Sequence, residues 1–165
     1  MHTKTLLASI VFGLTAFAPQ PMSAAATTPS LAGSWQFTLT PTAPPTPPVI
    51  LIPGLVTFTT DGSAIETDGS EFVPNPPSTT PGTPGHGIWQ MGNTPGSLYV
   101  EYISLVLNAD GSLYARNVTT MLVALNTKGD RFAGSYTTDQ VIGTSTTTVS
   151  SGTVSGQLIP HVPLP

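Results

Sequence analysis

The sequence predicts an all-β fold, a single closed barrel of eight antiparallel strands in up-and-down order, and three observations lead there. From Leu31 onward the chain is built of Thr-, Val-, Ser- and Tyr-containing runs punctuated by Gly and Pro. Such runs suit a pleated, half-buried surface, and Gly and Pro would weaken a helix interior. Turn-forming residues, Asp61-Gly62, Asp110-Gly111 and the stretch from Asn126 to Gly129, separate consecutive runs at hairpin spacing. Eight sequential strands linked in this way form a meander, and closing it removes the exposed edges that an open sheet would leave.

The strands are expected, in order, over 33–40, 54–60, 63–67, 87–91, 98–108, 112–125, 130–141 and 144–159. Two proline-rich segments interrupt them, 41–53 ("PTAPPTPPVILIP") and 74–85 ("PNPPSTTPGTPG"). Proline cannot donate a ladder hydrogen bond, so both read as loops at the barrel ends. In "SSGTVSG" the alternating Gly152 and Gly156 suit a tight closure of the barrel.

Residues 1–25 read as a signal peptide: Lys4, an apolar run from Leu6 to Ala18, then small residues from Ser23 to Ala26. A run of that length is short of the roughly 20 apolar residues that span a bilayer. Residues 26–165 are then one barrel domain, secreted or periplasmic, with no membrane insertion after cleavage. Without Lys4 it keeps three cations, Arg116, Lys128 and Arg131, against eight acids. Nucleic acid binding needs clustered Lys and Arg, so that class is excluded. The chain has no cysteine, which removes disulfides, thiolate metal sites and cysteine nucleophiles.

The hairpin around "NADG" can be paired from its sequence. An even loop puts Tyr99, Glu101, Ile103, Leu105 and Leu107 on one face with Tyr114, Arg116, Val118, Thr120 and Leu122. Leu98, Val100, Tyr102, Ser104 and Val106 share the other face with Leu113, Ala115, Asn117, Thr119 and Met121. Both faces are mostly apolar, which points either to packing between subunits outside or to an apolar cavity inside.

"LAGSWQFTLTP" (Leu31 to Pro41) resembles the Gly-x-Trp opening of lipocalin and wider calycin barrels, with Gly33 and Trp35 at the matching positions. Together with the "DGS" turn, "PGHGIW" and "NADGS", the chain resembles small secreted bacterial lipocalin-like proteins. The resemblance implies a barrel that binds a small hydrophobic molecule without a cofactor, with Trp35 plugging one end. A looser resemblance, to allene oxide cyclase-like barrels, implies a cofactor-free isomerase or cyclase working in an apolar cavity.

Candidate ligand-binding residues are Trp35, Trp89, Tyr99 and Tyr114. Candidate catalytic residues are Glu101 and Arg116, expected at a diagonal that long side chains reach, and His86. If their face lines the interior, Glu101 and Arg116 form a polar site beside the tyrosines; if it lies outside, they are an exposed ion pair. The outside or interface reading is favoured. His86, between Gly85 and Gly87, has no neighbouring Ser or Asp to complete a triad and reads as a turn residue before Trp89. The acids of "DGSAIETDGSE" (Asp61, Glu66, Asp68, Glu71) lack calcium-loop spacing and read as a solvated turn, with no metal. A third reading, a non-enzymatic protein that forms homo-oligomers through its outer face, stands beside binder and enzyme.

Overall fold

A computed structural model describes residues 30–43, 51–69, 82–94 and 96–160. They form one closed barrel of eight antiparallel strands in sequential order. The strands are β1 (Gly33–Ala43), β2 (Ile52–Phe58), β3 (Ser63–Asp68), β4 (Gly85–Met91), β5 (Ser97–Leu107), β6 (Leu113–Leu125), β7 (Arg131–Ile142) and β8 (Ser145–Leu158). The segment read as a signal peptide (1–25), Glu71 and most of the two proline-rich segments lie outside the described residues.

Both proline-rich segments were expected to be loops throughout, and their edges are strand instead. β1 runs through Pro41 to Ala43 and β2 begins at Ile52, so Pro53 is a strand residue. Pro53 lies beyond the last β2–β3 pair, Gly54↔Asp68, where no neighbouring strand asks for its missing N–H. Pro41 sits beside the register shift between β1 and β8. Gly85, placed in a loop by the sequence, opens β4 opposite Glu66.

The turns follow the residues expected to make them. Gly62, Gly111 and Gly129 adopt φ of 92°, 84° and 72°, a region that side chains with a Cβ rarely enter. The Asp61 carboxylate accepts from the Thr59 hydroxyl and from the Ser63 amide. These bonds hold it below the usual carboxylate range.

The barrel closes between β1 and β8, from Trp35↔Leu158 to Ala43↔Ser151. Gly152 serves the closure by its lack of a side chain, whereas Gly156 makes room for Phe132 of β7. A methyl group at Gly152 would come within 2.1 Å of the Thr40 carbonyl oxygen, and one at Gly156 within 2.3 Å of the Phe132 ring.

The two ends of the barrel differ. At one end, the turns after β2, β4 and β6 surround Trp35, Phe58, Trp89 and Phe132, all part of or packed on a continuous apolar core. The Trp35 indole donates to the Leu31 carbonyl at 2.7 Å and its ring centroid lies 5.2 Å from that of Phe132. Trp89 donates to the Thr59 carbonyl at 2.7 Å and meets Phe58 edge-on at 6.4 Å. This end is plugged by side chains. The connections after β1, β3, β5 and β7 emerge at the other end, the mouth, where the inner wall turns polar.

Candidate functional site

The pairing of β5 with β6 is the one worked out from the sequence: Tyr99↔Leu122, Glu101↔Thr120, Ile103↔Val118 and Leu105↔Arg116. Burial then fixes which face lines the interior. Leu98, Val100, Tyr102, Ala115, Thr119, Met121 and Val123 are buried, so Tyr99, Glu101, Tyr114 and Arg116 are on the outer wall. Tyr99 and Tyr114 therefore do not line the interior, and Glu101 and Arg116 form no polar site within it.

They also form no ion pair. Two ladder steps separate them, roughly 13 Å at about 3.3 Å per residue, whereas side chains on diagonal neighbours start about 7–8 Å apart. Glu101 accepts instead from the Tyr99 hydroxyl at 2.5 Å. That bond is the main reason the Tyr99 phenol is raised above its ordinary value, with burial adding to it.

His86 lies in β4, opposite Ile65 and Ile103, and its side chain is exposed on the outer wall. It is a strand residue, where a turn was expected. Trp35 and Trp89 do face inward, but at the plugged end, where Trp35 is 1% exposed.

The inner wall at the mouth holds groups that the sequence reading placed in solvent. Glu66 and Asp68 were expected in a solvated turn; both are strand residues of β3, facing inward with Ala64, and they are 2% and 8% exposed. The reason is an inverted polarity pattern. Ile65, the apolar residue that would ordinarily define the buried face, points outward and is 50% exposed.

Gly85 makes room for Glu66. A methyl group there would lie 2.7 Å from Glu66 Oε2 and 2.6 Å from the Tyr102 ring, so the carboxyl group lies over bare backbone with an aromatic wall beside it. Around this pair the inward-facing residues are hydroxyls and amides. Thr119 and Thr138 share a hydrogen bond of 2.9 Å, Gln140 donates to Asn117 at 3.2 Å, and the Tyr136 hydroxyl meets Ser150 Oγ at 2.7 Å. Ser104, Asn117, Thr138, Gln140 and Ser150 are only half-buried. The interior thus grades from a filled apolar plug to a polar mouth containing two buried carboxyl groups and two phenols.

Burial raises the Tyr136 phenol above its ordinary value; the Ser150 hydrogen bond works against this, and the Asp68 charge adds to it. A phenol whose folded value exceeds its unfolded value of about 10 stabilises the fold fully below pH ~10 and loses that contribution as pH rises through the folded value. Thermal midpoints should therefore fall on the alkaline side, with Tyr99 contributing to the same slope. Tyr136→Phe should cost about 0.5–1.5 kcal/mol at neutral pH, from the lost hydrogen bond, and flatten the alkaline decline. An unchanged slope in Tyr136→Phe would remove Tyr136 from this account.

Among the described residues no three acids or histidines gather in a way that would hold a metal ion. An open groove of about 680 Å³ lies on the outer wall, lined in part by Gln36, Thr38, Asn126, Arg131, Ser155 and Gln157, and is separate from the mouth. No helix among the described residues is long and apolar enough to cross a membrane. The chain matches no protein-family model and no curated protein.

Proposed function

We propose that this is a secreted or periplasmic lipocalin-like barrel that binds a small hydrophobic molecule at its mouth, with no cofactor. The observation that carries the reading is the buried Glu66 carboxyl group over Gly85. A carboxyl group fixed among the inward-facing hydroxyls and amides of the mouth offers an acceptor to a ligand that carries a hydrogen-bond donor or a positive charge. The ligand's apolar body would rest on the core above Phe37 and Leu39, its polar head toward Glu66 and Asp68. Small-molecule sites commonly combine an apolar wall with a few convergent polar groups in this way. Export rests on the Lys4, Leu6–Ala18 and Ser23–Ala26 pattern.

A fluorescent alkylamine and the matching alkylcarboxylate, otherwise identical, form the test. The amine should bind saturably with one site per chain and quench tryptophan fluorescence, and the carboxylate should bind more weakly. Glu66→Gln should weaken amine binding by about tenfold, the size of one charge-assisted hydrogen bond, and narrow the preference between the two probes. A folded protein that binds neither probe, or a Glu66→Gln variant with the preference unchanged, would sink the proposal.

The same carboxyl group supports a second reading, a cofactor-free isomerase or cyclase. There Glu66 would be the general base, a role that Glu101, Arg116 and His86 cannot fill from the outer wall. A desolvated carboxyl group beside an aromatic ring is a known setting for proton transfer. Under this reading Glu66→Gln loses turnover of a substrate it still binds.

A further inference from the structure

The outer wall of β2 to β6 is apolar to an extent that a solvated barrel does not need. Leu55, Ile65, Ile88, Ile103 and Leu122 all point outward and are 51%, 50%, 50%, 40% and 53% exposed. Three of them, Ile65, Ile88 and Ile103, are close neighbours. Ile65 lies opposite His86, His86 opposite Ile103 and Ile103 opposite Val118, a single row across four strands. Ile88 and Glu101 pair in the flanking row. The outer wall of β7, β8 and β1 is more polar, carrying Ser135, Thr137, Thr153, Ser155, Gln157, Ser34 and Gln36, with exposed Ile142 and Val149 near the β7–β8 turn. One side of the barrel is thus suited to water and the other to a protein surface.

The charges on the apolar side indicate which surface. Glu101 and Arg116 are placed symmetrically about the Ile103↔Val118 pair, one ladder step away on opposite sides. Among the described residues neither has an oppositely charged partner within the chain. A two-fold axis in the interface, parallel to the sheet and running over the Ile103↔Val118 pair, brings Glu101 of one copy to the ladder level of Arg116 of the other, one strand aside and within reach of long side chains. Glu101 of each copy then meets Arg116 of the other, and the row of Ile65, His86, Ile103 and Val118 packs on its own copy between two identical ion pairs. Such a self-complementary patch is what an isologous dimer requires, and facing sheets aligned within about 30° is a common packing. We infer that the outer face of β4 to β6 is a homodimer interface, closed by Glu101 pairing with Arg116 of a second copy.

The test is charge reversal with rescue, read as a dimer dissociation constant by sedimentation velocity across protein concentration. The unaltered protein should sediment as a dimer. Glu101→Arg alone and Arg116→Glu alone each set like charges against each other at both contacts and should weaken the dimer by about 100-fold. The double variant restores complementarity and should recover the dimer to within about tenfold of the starting affinity. A fold check by near-ultraviolet circular dichroism accompanies each variant. If a reversal does not fold, Glu101→Gln and Arg116→Gln replace it, each expected to weaken the dimer by about tenfold and the two together by less than the product. A monomer at every concentration, an oligomer indifferent to these changes, or a double reversal that stays dissociated would each overturn the inference.

Discussion

Trp35→Ala should unfold the protein at a much lower urea concentration, with a loss of about 3–5 kcal/mol for truncating a buried aromatic. Three features place the loss at the upper end of that range. Trp35 is 1% exposed and belongs to the apolar plug, so the space it vacates is bordered by side chains already packed on one another. Its ring lies against Phe132, 5.2 Å away and tilted by 52°. Its indole N–H satisfies the Leu31 carbonyl at 2.7 Å, and a buried carbonyl left without its donor costs about 1–3 kcal/mol more. Trp35→Phe separates these contributions, because it keeps much of the volume and loses the hydrogen bond. It should fall between the two. A Trp35→Ala midpoint within error of the parent would mean that the plug does not hold this end together.

Gly134→Ala should be as damaging, although it adds only one methyl group. Gly134 pairs with Val123 in the β6–β7 ladder, and a Cβ there would lie 1.9 Å from the Leu122 carbonyl oxygen and 2.8 Å from the Val123 Cα. Both obstacles are backbone, so no side-chain rotation relieves the overlap. The two strands would have to part there, breaking the Val123↔Gly134 pairing. Overpacking ordinarily costs about 1–3 kcal/mol, and a collision with main chain belongs at or beyond the upper limit. Gly143→Asn provides the contrast. Gly143 has φ of 59° in the β7–β8 turn with nothing within 4 Å, a conformation that Asn tolerates, so the change should stay within about 0.5 kcal/mol. Chemical denaturation of both variants settles the comparison. If Gly134→Ala proves as stable as Gly143→Asn, the close approach at β7 is not a constraint.

The path of the chain was legible because local signals agreed along it. Asp61-Gly62, Asp110-Gly111 and Asn126 to Gly129 each fall in a turn between consecutive strands, and alternation around "NADG" gave the face-sharing of β5 and β6 up to the register shift at Val106/Leu107, beyond which Leu113 pairs with Leu107 and points outward. Which face of the hairpin is buried was not legible, since Leu98, Val100 and Val106 compete with Ile103, Leu105 and Leu122 on hydrophobicity alone. Only the other strands decide the matter, by where Trp35, Phe37 and Phe58 need neighbours. The candidate site was missed for a different reason. The acids of "DGSAIETDGSE" were tested only against metal-loop spacing, and without it a run so rich in Asp, Glu and Ser reads as a solvated turn; in the strand itself the one large apolar residue, Ile65, points outward. The signal that pointed correctly was spacing: Ala64, Glu66 and Asp68 alternate in one phase, and a glycine, Gly85, lies across from Glu66. Glu101 and Arg116 were placed on the correct face but too near each other, because a shared face says nothing about distance along it.

The seam between β1 and β8 also imposes a schedule on folding. Trp35 pairs with Leu158, so residues from opposite ends of the described chain must meet before the ring is complete. Until β8 is available, β1 and β7 each present an unpaired edge, and the Trp35 side of the plug lacks the wall carrying Val154 and Leu158. Contacts of such long sequence separation form late and slowly, and open edges invite pairing with other chains in the meantime. The hazard for this protein therefore lies in the interval before closure, when it is a sheet with two free margins, more than in the finished barrel, which has none.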